Sequence, residues 1–329
     1  MNNGWTYRDR ITSSAVGQTV LAYYTQRYTH SSQQTWQARI DQGQIRLNDR
    51  PTTVDTVLTA GAQLSYHRPP WQEPPVPLDF DVLYEDEHLW VIAKPVGLPV
   101  LPGGGFLEHT LLHLLRDGKA LPKEDRFTDE TPIPVHRLGR GTSGAMLVAK
   151  SQTARSELSR QFRVRSTSSD ASVAPLRKIY RALVGPSSAD PNSPTFLKDG
   201  FCCTFPIGKL PHTRLGYVYG RANRDDPKAM TAHSKCTVVE RRSTATLLDV
   251  SISTGRPHQI RIHLAAAGFP LIGDPLYPVG GIPSPSSAAK PSDIGYHLHA
   301  YQLRFVHPYT GHPISITAEP PKILRPIAK

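Results

Sequence analysis

VHRLGRGTSGAMLVAK, Val135 to Lys150, is the stretch on which the reading of the fold turns. It opens with polar and basic groups, His136, Arg137 and Arg140, and closes in an apolar run from Ala145 to Ala149. Gly139, Gly141 and Gly144 punctuate the part before that run, so the pattern is a loop feeding a buried strand. Basic and hydroxyl groups on a glycine-rich loop at a strand mouth form a surface suited to a phosphate or a nucleobase. A plain glycine-rich turn into a core strand gives the same pattern, because short glycine motifs have many chance matches. The company this stretch keeps decides between the two.

The chain has 329 residues, enough for two domains and a sizeable core. Its 38 Lys+Arg against 27 Asp+Glu leave a net charge of +11 and a pI near 9.6. That balance favours a polyanionic partner, RNA or DNA first. Cys202, Cys203 and Cys236 form neither a disulfide framework nor a zinc pattern, which fits a reducing cytoplasm. No apolar run approaches a membrane span, and MNNGWTYRDR at the start has no secretion-signal core.

Residues 13–68 read as a small unit. Val16, Val20, Leu21, Tyr24 and Tyr28 recur at helical spacing, and a second helix is expected from Ser32 to Asp41, with Gly43 at its exit. A turn at Asn48-Asp49 and a closing strand near Gln63 to Tyr66 follow. Residues 69–77, rich in proline, read as a stiff linker, and a second domain is expected over 78–329. There, Leu89 to Ala93, Lys178 to Val184, Phe201 to Ile207, Cys236 to Glu240 and Ala245 to Ser253 read as strands, and His297 to Glu319 as a strand pair. A helix runs from Ser151 to Phe162, and the stretches 163–176 and 186–194 read as loops, the first of them mobile. Pro257 suits the first position of a helix with Ile260, Leu264 and Ala267 as its apolar stripe. Another face of that helix, with His258, Arg261 and Ala265, would aim Arg261 into a cleft. His109 and His113, and the C-terminal His297, His299, His307 and His312, read as packing or surface residues, so no metal site is expected. Many strands with few helices, and no regular alternation, predict an α+β fold with a mixed, largely antiparallel sheet. No Walker loop and no dinucleotide-binding glycine motif are present.

Residues 13–68 resemble the S4 RNA-binding domain. The match rests on the second helix with Ile40-Asp41-Gln42-Gly43-Gln44-Ile45-Arg46-Leu47-Asn48-Asp49, and on Leu58 to Leu64. Asp49 stands where that family usually has glycine. The resemblance implies an RNA-gripping module, with Arg39 and Arg46 among its contacts.

Four ordered segments from Leu78 to Pro321 resemble the RluA-type RNA pseudouridine synthases. They are Tyr84 to Val100; His136-Arg137-Leu138 with Thr142-Ser143-Gly144 and Leu147 to Lys150; Lys178 to Val184; and Thr254 to Leu264 followed by Gly268, Pro270, Ile272-Gly273-Asp274 and Tyr277. Leu298-His299-Ala300-Tyr301 and Phe305 with His307-Pro308 fit as well. The resemblance implies isomerisation of uridine to pseudouridine in ribosomal or transfer RNA, without metal or cofactor; an S4-like unit joined by a stiff linker suggests a monomer with two RNA contacts. By the same resemblance Arg137 fills the gap left by a flipped nucleotide, Tyr180 stacks on the uracil, and Arg261 pairs with the catalytic carboxylate. His136, Arg140, Lys178 and Arg256 would meet the RNA, and Ile179, Val148 and Ile260 would form apolar walls.

The chain departs from the family at one point. The usual loop is His-Arg-Leu-Asp-Arg-Asp-Thr-Ser-Gly; here both aspartates are glycines, Gly139 and Gly141, and Gly139 takes the place of the catalytic one. Two readings stay open. In one, the glycines adopt positive φ and reroute the loop so that Asp129, Glu130 or Asp274 supplies the acid. In the other, the chain is an RNA-binding protein that keeps the synthase fold without its chemistry. In either, a buried Arg261 needs an anion or water to answer it.

Overall fold

The computed structural model describes residues 1–117, 131–165, 176–185 and 199–327. The chain forms two compact units, Met1–Glu73 with Pro211–Tyr217, and Pro74–Leu210 with Val218–Lys329. Asp125, Asp129 and Glu130, and most of the loops expected at 163–176 and 186–194, lie outside the described residues.

The first unit holds β1 (Trp5–Arg10), α1 (Val20–Arg27), α2 (Gln33–Asp41), β2 (Ile45–Leu47), β3 (Arg50–Pro51) and β4 (Gln63–Arg68), with strand order β1-β4-β2-β3. Helix α1 starts at Val20 and not at Val16. The Thr19 side chain accepts the Ala22 N–H and caps it there, leaving Val16 exposed in the turn before. Ser32 caps α2 in the same way, accepting the Thr35 N–H. Asn48 and Asp49 both adopt positive φ, 50° and 60°, as a two-residue turn between twisted strands requires. Residues 5–10, outside the limits expected for this unit, pair antiparallel with β4 along their whole length. Tyr24, Trp36, Ile40, Leu58 and Leu64 fill its core.

From Pro74 onward the elements are β5 (Asp81–Glu85), β6 (Leu89–Lys94), α3 (Leu111–Arg116), β7 (Ile133–Pro134), β8 (Thr142–Ala149), α4 (Gln152–Arg165), β9 (Arg177–Val184), β10 (Gly200–Cys203), β11 (Ile207–His212), β12 (Gly216–Arg221), β13 (Ser234–Arg241), β14 (Thr246–Ile252), α5 (Gln259–Ala266), β15 (Leu298–Val306) and β16 (Pro313–Thr317). Ten strands make one sheet, ordered β10-β13-β14-β9-β15-β8-β6-β5, with β16 paired to β15 and β7 to β8; β11 and β12 form a sheet of their own. Within the large sheet the described pairs are antiparallel except β15 with β8, which run parallel with Leu298 opposite Thr142. The fold is therefore α+β with a mixed, largely antiparallel sheet.

All eight residues of β8 are buried. Met146 and Val148 pack with Trp90, Ile92, Leu111 and Leu114, whereas Ala145, Leu147 and Ala149 pack with Leu158 of α4 and Phe305 of β15. A strand covered on both faces has no solvent side to mark with polar residues, which accounts for the unbroken apolar run. Each large side chain so buried stabilises the fold by about 1.5–3 kcal/mol.

Three expectations about the glycine loop and α5 fail. Neither Gly139 nor Gly141 adopts positive φ; Gly144 does, at 110°. A Cβ on Gly144 would stand 2.3 Å from the Ala300 carbonyl oxygen, so the close approach of β15 is what demands glycine. Helix α5 begins at Gln259, not at Pro257. His258 is its N-cap in a left-handed conformation, φ 53° and ψ 23°, which breaks the helical path between the proline and the first turn. Nor does α5 have one apolar stripe: Gln259 through Ala265 are all buried, with Ile260 and Leu264 in one hydrophobic cluster and Ile262 and Ala265 in another.

Candidate active site

The loop that carries the two glycines is pinned from below by Lys94. Its ammonium donates to the carbonyls of Pro95 at 2.7 Å, Leu98 at 2.9 Å and Arg140 at 3.5 Å. Burial, aided by the nearby Arg140 charge, lowers its pKa to about 7. Gly97 and Arg140 tie the two loops again, N–H to carbonyl at 2.8 Å and Arg140 Nε to the Gly97 carbonyl at 3.1 Å. Arg140 also lies over the Phe106 ring, so its guanidinium anchors the loop and is not part of the cleft wall.

Above this anchor lies a cleft of about 330 Å³. His136, Arg137 and Gly139 enter it from the loop, Lys178 and Tyr180 from β9, Arg256 and His258 from the turn before α5, and Arg261 from α5 itself. The antiparallel neighbours β9 and β14, and the parallel pair β8–β15, bring these segments to one place. Of the proposed walls, Ile260 lines the cleft; Val148 is wholly buried in the core with Trp90, and Ile179 is not among the lining residues.

Arg261 does not lack an anion. Its Nε and Nη2 donate to the two carboxylate oxygens of Asp274, each at 2.7 Å, and Nη1 donates to the Pro291 carbonyl at 3.0 Å. Both side chains are almost fully buried, at 3% and 1% exposure. Burial disfavours the guanidinium charge, but the Asp274 hydrogen bonds and charge outweigh it and hold the pKa above its ordinary value. Asp274 Oδ1 also accepts the N–H groups of Leu276 and Tyr277. With those bonds made and no face on the cleft, Asp274 is a structural partner for Arg261 and not an acid presented to a substrate. Among the described residues lining the cleft there is no carboxylate.

The space beside the glycines is filled by Tyr296, a residue the sequence did not single out. A Cβ on Gly139 would stand 2.8 Å from the Tyr296 hydroxyl, and one on Gly141 would stand 2.8 Å from its Cε1 and Cζ. The register explains this. Leu298 lies opposite Thr142 across the parallel pair, so two residues earlier Tyr296 falls level with Arg140, between the glycines. Its ring stacks on Arg261, whose guanidinium carbon is 4.2 Å from the centroid, and its hydroxyl lies 3.3 Å from Thr142 Oγ1.

His258 has a fixed tautomer. The Tyr277 hydroxyl donates its hydrogen to the Tyr219 carbonyl at 2.9 Å, so its oxygen must accept from His258 Nδ1–H at 2.6 Å. The lone pair is then on Nε2. Burial, with the Arg261 charge beside it, drops the pKa to about 3, and the ring is neutral at neutral pH. His136 is neutral too: its Nε2 accepts the Leu147 N–H at 3.1 Å, its ring stacks on Phe162, and burial next to Lys178 lowers its pKa to about 3. Burial raises the Tyr180 hydroxyl to about 12, so it stays protonated. Arg137 is exposed at the rim, and Arg256 is held by the Thr231 carbonyl at 2.9 Å. The cleft thus presents cationic groups at its walls and mouth and two tyrosine rings, dimensions and chemistry suited to an extruded nucleobase on a phosphate backbone.

Elsewhere, His299 bridges Ser143 and the Ala318 carbonyl, and His307 bonds Asp86, so these two C-terminal histidines pack the sheet as expected. His113 pairs with Asp117, and His109 with the Pro74 carbonyl. In the first unit Arg39 stacks over Trp36 at 4.4 Å and bonds Ser31, while Arg46 is exposed on β2.

Residues 88–266, more than half of the chain, match the family described as RNA pseudouridylate synthase. An uncharacterized RNA pseudouridine synthase of Synechocystis is 45% identical over 311 residues, covering 94% of this chain and 97% of its own. RNA pseudouridine synthase 5 of Oryza sativa is 38% identical, covering 98% and 89%. Ribosomal large subunit pseudouridine synthase D of Neisseria meningitidis serogroup B is 34% identical, covering 92% and 75%. The fold is shared with human RNA pseudouridylate synthase domain containing 4, at 22% identity and a TM-score of 0.52, over 74% of this chain and 89% of that one. With the family match running through β6, β8, β9 and α5, which carry most of the cleft, the chain belongs to the RNA pseudouridylate synthase family.

Proposed function

We propose that this protein is an active RNA pseudouridine synthase, which isomerises a uridine within ribosomal or transfer RNA in the cleft beside Gly139. The observation that carries the reading is the joint presence in that cleft of Arg137 at the rim, Tyr180 and Arg261. Arg137 replaces the extruded nucleotide in the stack, Tyr180 supports the uracil, and Lys178 and Arg256 meet the flanking phosphates. The ribosomal substrate is suggested by the name of the Neisseria relative. The first unit grips the RNA as an S4-like module, supported by exposed Arg46, the Arg39–Trp36 stack and the left-handed turn at Asn48-Asp49. The protein works as a cytoplasmic monomer and needs no cofactor; no helix among the described residues is long and apolar enough to cross a membrane.

A second reading, an RNA-binding protein without turnover, is favoured by one observation: Gly139 takes the place of the family's aspartate, and no described cleft residue is a carboxylate. Tritium release from unmodified, [5-³H]uridine-labelled 23S ribosomal RNA and transfer RNA transcripts separates the two. Release that falls at least about tenfold in Arg137→Ala supports the synthase; tight RNA binding with no release supports the second reading.

A further inference from the structure

Among the described residues the cleft holds no carboxylate, so the group that reacts at the sugar is sought among the other side chains that line it. Tyr296 occupies the space into which side chains at 139 and 141 would grow, with its hydroxyl 2.8 Å from the position of a residue 139 Cβ. It lines the cleft, although the residue as a whole is only 4% exposed. Its hydroxyl is weakly engaged: among the described residues its hydrogen-bond contact is to Thr142, 3.3 Å long. The Tyr277 hydroxyl nearby makes bonds of 2.6 and 2.9 Å and is committed to them. Arg261 lies against the Tyr296 ring face at 4.2 Å, a cation placed to stabilise charge that develops on the phenol. Asp274 fixes that cation in place. A phenylalanine would fill the same volume, so packing does not account for the hydroxyl.

We propose that Tyr296 is the nucleophile of this synthase, standing in for the missing aspartate; the inference rests on the reading of the chain as an active enzyme. Tyr296 Oη bonds to C1′ of the target uridine as the C1′–N1 bond breaks. The bond electrons go to the uracil, which also takes the phenolic proton, so neutral uracil is released into the closed cleft. The uracil turns over Tyr180. Its C5 then bonds to C1′, the C1′–Oη bond breaks, and Tyr296 recovers its electrons and takes the proton from C5. That proton exchanges with water, which is the event tritium release reports. Two displacements at C1′ restore its configuration, and no oxidant or second substrate enters. Tyrosine serves as the nucleophile at an anomeric carbon in one class of glycosidases, so the chemistry is within its reach.

The test compares full-length protein with Tyr296→Phe, using [5-³H]uridine-labelled 23S ribosomal RNA and transfer RNA transcripts, filter binding of the same RNAs, and thermal unfolding. The expected result is release by the unaltered protein and a loss of at least about 100-fold in Tyr296→Phe, with RNA affinity within twofold and an unchanged unfolding midpoint. Release by Tyr296→Phe within about tenfold of the unaltered protein overturns the nucleophile while leaving the synthase reading intact. No release by either protein overturns both.

Discussion

The two walls of the cleft solve the same problem in different ways. The α5 wall is heavily bonded: Arg261 is held by Asp274 and Pro291, Asp274 by two more backbone N–H groups, and His258 by Tyr277. The loop wall offers no side chain at 139 or 141, and a ring from β15's approach fills it. One wall presents a cation whose carboxylate partner lies off the cleft; the other leaves room and places a phenol in it. In this cleft the cation Arg261 is therefore satisfied from behind, by an anion that does not face the cavity.

Removing the anion should produce the largest effect. Asp274→Ala leaves a guanidinium buried without its partner and is expected to cost about 3–5 kcal/mol, read as a fall in urea midpoint at constant slope. Asp274→Asn, which keeps the shape and some of the hydrogen bonds, should cost less. Equal stability of Asp274→Ala and the unaltered protein would show that the α5 wall does not depend on this pair.

Acid should attack both walls together. His136 and His258 have folded pKa values near 3, below the ordinary 6.5. The unfolded chain therefore binds a proton at each below pH 6.5 while the folded one does not. Stability is full above that value and falls with pH through the window from about 6.5 down to 3, by about 2 kcal/mol per histidine at pH 5. A thermal midpoint unchanged between pH 7.5 and 5 would contradict it.

The loop wall can be probed atom by atom. Gly139→Ala and Gly141→Ala should each cost about 1–3 kcal/mol, because the new Cβ meets Tyr296 at 2.8 Å. In a Tyr296→Phe background the first cost should vanish, since only the hydroxyl obstructs position 139. The second should persist, since ring carbons obstruct position 141. Equal relief at both positions would refute this account of how the ring sits. The smallest effect belongs to the first unit: Arg46→Gln should lower the slope of log affinity against log salt by about 1.

Much of this protein is legible in its sequence. The apolar run of β8, the second helix of the first unit, the turn at Asn48-Asp49 and the strand pair near the C-terminus all follow from local rules of spacing, whereas the start of α1 at its Thr19 cap does not. The start of α5 does not, because His258 is held in an unfavourable conformation by tertiary bonds that no local preference signals. The ordered segments around Arg137, Tyr180 and Arg261 place the family, and with it the α+β sheet. What they leave out is what stands next to Gly139. Tyr296 reaches the glycines only because β15 runs parallel to β8, pairing residues over 150 positions apart. Asp274 answers Arg261 only because the turn after α5 folds back on it. Local chemistry decided which groups could enter the cleft; long-range strand register decided which of them meet.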